Sequence, residues 1–266
     1  MTDDKRKQIL HELRATDGDV EPLLGYVKNR FSPISASKNL NMASDEHTEK
    51  WNEMRGRIEL VCRSEPNIEI FDSAAGAIPV VNAVAEDFDN IMSEIIFKDR
   101  ETPSLENMGA SFVSGKSLRF IVLSDKPYSG ISAEEMGFSA EEWAKKSMEI
   151  RKHHECTHYY TKQFFGSARN NLHDELIADF CGIHAAFRKY RAEWFIKFFE
   201  RRLPIYTKGL SEDAQAVVLN LAKCVAKSVE RWSNTQACQE MCEAEHIKHL
   251  AGTELLAFVD GDIPFC

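Results

Sequence analysis

The sequence predicts an α+β fold that is mostly helical, with a small antiparallel sheet or hairpin. Two observations carry this. Apolar residues recur at helical spacing over 48–63, over 139–165 and through most of the chain beyond Tyr190. One run, 117–124 (Ser-Leu-Arg-Phe-Ile-Val-Leu-Ser), is strongly β-prone, and 111–116 before it ends in a Ser114-Gly115 turn signal.

The elements follow in order. Residues 3–30 read as one or two short helices broken at Asp17-Gly18, and 31–44, rich in Ser with Pro33, reads as a loop. A helix over 48–63 places Trp51, Met54, Ile58 and Val61 on its apolar side. Ile68 to Phe71 reads as a short strand, 74–79 as a small-residue turn, and Val81, Val84, Phe88, Ile91 and Ile95 as the stripe of a helix. A loop over 98–107 precedes the hairpin, and Lys126 to Gly130 turns the chain toward the helix of 139–165. That helix opens on a capping box, Ser139 with Glu142, and Gly166 ends it; Asn170-Asn171 reads as a turn and cap for the next helix. Helices then cover 192–202, ended by Pro204, 211–232 and 235–258. A boundary near 190 is expected, with 1–190 as one domain and 191–266 as a helical C-terminal subdomain packed on it.

Composition excludes several function classes. A net charge of −9 argues against a nucleic-acid footprint and against binding an anionic membrane surface. No apolar run approaches the roughly 20 residues that span a bilayer, and the polar N-terminal residues do not read as a signal peptide. Seven cysteines, an odd number without framework spacing, fit reduced thiols, so a cytoplasmic protein is expected.

The chemistry concentrates in His154-Glu155-Cys156-Thr157-His158, an H-E-x-x-H pattern. On a helix, residues i and i+4 project from one face, so both imidazoles can grip one ion while Glu155 stands beside it as a base for bound water. Trp143, Ser147, Ile150, His154 and His158 form one stripe, so the histidines continue an inward-looking face. Downstream, Glu175 and Asp179 are again i and i+4, with Gly182 and Ala186 completing a narrow stripe that can approach another helix closely. A carboxylate there can complete a His-His-Glu set with a fourth position left for water. Asp179, one turn on, can accept the free ring N–H of a ligand histidine. The hairpin before the metal helix either offers an edge strand to an extended peptide or only covers core.

Together, 154–158 and Glu175-Leu-Ile-Ala-Asp179 resemble the zincin metallopeptidases of the gluzincin branch, over residues 139–188. The resemblance implies a zincin-like domain with one zinc ion held by His154, His158 and Glu175, Glu155 as general base, and Asp179 behind a ligand histidine, His154 foremost. It implies hydrolysis of a peptide or protein substrate. The metzincin positions for a further glycine and histidine are Thr161 and Phe164, and the extended thermolysin-type and aminopeptidase-type signatures are missing. Manganese, cobalt or iron suit the same ligands almost as well as zinc.

Other candidates weigh less. Cys238, Cys242, His246 and His249, at steps of 4, 4 and 3, share one helix face, but they span about 16 Å and cannot surround one ion. His153 and His173 flank the site and are possible hydrogen-bond donors to substrate. Tyr206, Tyr190 and His173 are candidates for a second oxyanion donor. A different class of function, a zincin-like domain that binds metal or peptide as a regulator or scaffold, is the alternative.

Overall fold

The computed structural model describes residues 1–28, 31–32, 44–98, 104–106, 108–166 and 172–259. The expectations for the loops at 31–44 and 98–107 lie mostly outside these residues, and that for Asn170-Asn171 wholly so. The chain forms two compact units, one made of Met1–Pro33 with Phe165–Cys266 and the other of Ile34–Phe164. The chain passes between the units at 33–34 and 164–165, so residues 165–190 and the first 33 residues group with the C-terminal helices, where a boundary near 190 was expected.

The chain opens on α1 (Asp3–Glu12) and α2 (Asp17–Val27), both in the first unit. The break between them is at 13–16 and not at Asp17-Gly18. Thr16 takes the N-cap position of α2, so Asp17 and Asp19 sit in its first turn, where carboxylates suit the helix dipole.

In the unit Ile34–Phe164, α3 (Asp45–Val61) is capped by Ser44 and buries Trp51 and Ile58. Four strands follow: β1 (Asn67–Ser73), β2 (Gly76–Ala83), β3 (Ala110–Ser114) and β4 (Arg119–Ser124), in the order β1-β2-β4-β3. The expected hairpin is there as the antiparallel pair β3–β4, but it belongs to a mixed sheet in which β2 and β4 run parallel. A turn at 74–79 and a helix from Val81 are the expectation for this stretch. The turn is shorter, at Ser73 to Gly76 where Gly76 has φ 103°, and Ile78, Val80 and Val81 belong to β2. The β-branched run is buried on both faces of the sheet, and this tertiary setting overrides the helical spacing seen from Val81. The helix α4 starts only at Ala85 (Ala85–Ile91) and continues as a π-helical turn to Ile96.

The sheet has two dry faces. Val81, Ala83, Phe120 and Val122 pack with Trp51 and Ile58 of α3 and with Phe88 and Ile91 of α4. Ile78, Val80, Ile121 and Leu123 pack with Cys156 and Tyr159 on the other side. These last two lie on α6 (Ala140–Phe165), which follows the short α5 (Ala133–Met136). Cys156 is thus a packing residue on the sheet-facing side of α6.

The first unit resumes with α7 (Leu172–Phe187), α8 (Ala192–Tyr206), α9 (Glu212–Ser233), α10 (Gln236–Glu240) and α11 (Glu243–Gly252). Pro204 does not end α8 but lies inside its last turn, where only one internal hydrogen bond is lost. Phe195, Phe198 and Phe199 of α8 and Val218, Leu221, Val225 and Val229 of α9 are buried. The Leu172 N–H donates to Tyr26 Oη at 2.9 Å, which ties the start of α7 to α2. No helix among the described residues is long and apolar enough to cross a membrane. No disulfide joins the described cysteines.

Candidate metal centre

The helix α6 begins as its sequence dictates. Ser139 Oγ accepts from the Glu142 N–H at 3.3 Å, and Glu142 Oε2 accepts from the Ser139 N–H at 3.1 Å, a reciprocal cap. From there Trp143, Ser147, Ile150, His154 and His158 form a continuous buried stripe. Trp143 Nε1 donates to the Ile131 carbonyl at 2.7 Å, fixing the rotation of the helix. The two histidines therefore arrive on one face with their Nε2 atoms 3.1 Å apart. Two nitrogens on one tetrahedral ion at about 2.0–2.1 Å stand about 3.3 Å apart, so the pair already has the spacing of bound ligands.

The remaining nitrogen of His154, Nδ1, lies 3.0 Å from Tyr128 Oη. Tyr128 sits in the turn between β4 and α5, and that turn is clamped to α6. Arg151 donates to the Ser124 and Pro127 carbonyls at 2.9 Å each, and the Tyr128 N–H donates to Ser147 Oγ at 3.1 Å. Burial pushes the Arg151 guanidinium down to about 10, so it remains charged near neutral pH. The close approach needs a glycine at 109, where an added Cβ would stand 2.6 Å from Arg151 Nη2. Sequence reasoning missed Tyr128 and Arg151; a lone tyrosine some 26 residues upstream carries no periodic signal.

On α7, Glu175 and Asp179 are both buried. Tyr206 Oη donates to Glu175 Oε2 at 2.7 Å, and Arg202 Nη1 donates to the same oxygen at 3.2 Å. Arg202 Nη2 donates to Asp179 Oδ2. Burial and the neighbouring carboxylates hold the Tyr206 hydroxyl well above the ordinary phenol value, so it stays a donor. Asp179, expected behind His154, takes the Arg202 guanidinium, while Nδ1 of His154 lies against Tyr128.

One ligand atom from each of His154, His158 and Glu175 lies within 4.8 Å of the others, and all three side chains are buried. Among the described residues this is a group that could hold a metal ion. Two imidazoles and a carboxylate are the donor set of catalytic zinc sites that keep one position open. Glu155, also buried, follows His154 on α6.

The other candidates resolve differently. His173 is buried with Nε2 2.9 Å from the Leu250 carbonyl, and burial pushes its pKa down to about 4, so it is a neutral interior donor. His153 pairs with Glu149 at 3.3 Å and meets the Phe71 ring edge-on. Tyr190 is buried, and burial followed by the Asp179 charge pushes its hydroxyl well up. The stripe of Cys238, Cys242, His246 and His249 is broken, because the helix stops after Glu240 and restarts at Glu243. His246 Nε2 instead lies 2.9 Å from the Cys238 carbonyl.

Residues 117–260, more than half of the chain, match a family described as "Family of unknown function (DUF7005)", and the chain belongs to it. The match spans α6, α7 and α8 and so contains every side chain of the candidate centre. No curated protein and no solved structure matches the chain.

Proposed function

We propose that this member of the DUF7005 family is a zinc-dependent hydrolase acting on peptide bonds. The observation that carries this reading is the buried group of His154, His158 and Glu175, with Glu155 beside it. The donor set fits zinc in number and type. When bound, the ion supplies Lewis acidity, which lowers the pKa of water toward about 7 and polarises a carbonyl.

The protein's own groups do the rest. His154 and His158 present Nε2 from one helix face, and Glu175 closes the set. Glu155 accepts a proton from the attacking water as the C–O bond forms. It then passes that proton to the leaving amine as the C–N bond breaks. An extended peptide is the substrate class that the sheet favours. Among the described residues β3 stands at an edge of the sheet, and an edge strand is where a strand-like chain can pair.

The test is digestion of a broad peptide library by zinc-loaded protein, with a chelator and Glu155→Gln as controls. Cleavage that the chelator abolishes and that Glu155→Gln reduces by about 10²-fold or more supports the reading. Bound zinc without any cleavage favours a metal-binding regulator or scaffold.

A further inference from the structure

Arg202 connects the two carboxylates of α7. Its guanidinium lies one helix on, in α8, and its two terminal nitrogens part. Nη1 donates to Glu175 Oε2 at 3.2 Å and Nη2 donates to Asp179 Oδ2. The side chain is mostly buried and both acids are almost wholly so. Tyr206, one turn along α8 from Arg202, adds a 2.7 Å bond to the same oxygen of Glu175, and the guanidinium carbon stands 5.5 Å from its ring centre. Two acids one turn apart on a buried face repel each other, and neither has bulk water to screen it. A planar cation with a fixed fork relieves that repulsion and fixes both carboxylates at once, which a lysine cannot do.

Resting on the metal-centre reading above, we propose that Arg202 is a positioning residue for the third metal ligand. Its fork holds Glu175 in a single rotamer through Oε2, and thereby sets the affinity of the centre. The opposite expectation follows from charge alone. A cation beside a ligand weakens the binding of another cation, so removing Arg202 would tighten binding. The fork geometry decides between them, because without it the Glu175 carboxylate loses a donor that fixes its orientation, and a ligand free to turn binds an ion less tightly.

The experiment is zinc titration of the full chain against a chromophoric chelator, for wild type, Arg202→Met, Arg202→Lys and Glu175→Ala. Cobalt-substituted absorption spectra report the ligand geometry. Wild type takes up one zinc and Glu175→Ala loses it. Arg202→Met weakens zinc binding by about 10- to 100-fold, the usual effect of losing a hydrogen-bond partner behind a ligand. Arg202→Lys, which keeps the charge and should fold, falls between and shifts the cobalt bands. Unchanged or tighter binding in both Arg202 variants overturns the proposal. Absence of zinc from wild type overturns the metal reading itself, and with it this one.

Discussion

Tyr128 Oη lies 3.0 Å from His154 Nδ1, and both groups are buried. Nε2 of the same imidazole faces Nε2 of His158, so the tyrosine stands at the back of the nitrogen that a metal would use. When Nε2 is the ligating, unprotonated nitrogen, Nδ1 carries the proton and the tyrosine oxygen is placed to accept a hydrogen bond from it, which supports the ligating tautomer. Tyr128→Phe keeps the ring and removes that acceptor. It is expected to lower zinc affinity about 10-fold with little change in thermal unfolding of the metal-free protein, as measured by competition titration and circular dichroism.

The clamp behind Tyr128 is a stability element. Arg151→Met leaves the Ser124 and Pro127 carbonyls buried without their donor. A loss of about 2–4 kcal/mol is expected from two charge-assisted bonds, read as the shift of the urea midpoint. Gly109→Ala acts on the same contact from the other side, by driving a methyl into the guanidinium, and should destabilise in the same direction.

Asp87 gives a pH dependence remote from the centre. Burial raises its pKa, but the Ser64 hydroxyl at 2.6 Å and the N–H groups of Arg63 and Ser64 at 2.7 and 3.1 Å outweigh this and hold it below 3.8. A lowered folded-state value means that the unfolded chain binds the proton first. The stabilisation is therefore present above pH 3.8 and is lost as pH falls through the lower folded value. Asp87→Asn should be less stable than wild type at pH 7, and the gap should narrow below pH 4. A gap that stays constant between pH 7 and pH 3 would exclude the assignment.

The parts of this account that the sequence disclosed are those with local arithmetic. Ser139 and Glu142 announce a cap, the stripe from Trp143 to His158 follows helical steps, and Glu175 and Asp179 sit one turn apart on the next helix. What stayed hidden depends on partners distant in the chain. β2 is a strand because β4, some 40 residues later, pairs with it in parallel, and nothing between Val80 and Phe88 breaks the helical pattern that competes for the same residues. Nothing local in the sequence marks Arg151 or Arg202, because the carbonyls and carboxylates that they meet come from other elements. The Cys238–His249 stripe failed through a break at Met241-Cys242 that no proline or glycine marks.

The central claim is that His154, His158 and Glu175 hold one divalent ion. Elemental analysis of protein purified without added metal or chelator, run beside His158→Ala and Glu175→Ala, tests it most directly. The account predicts close to one equivalent of zinc in wild type and a background level in both variants. Wild type at background, or full retention of metal by both variants, would contradict it.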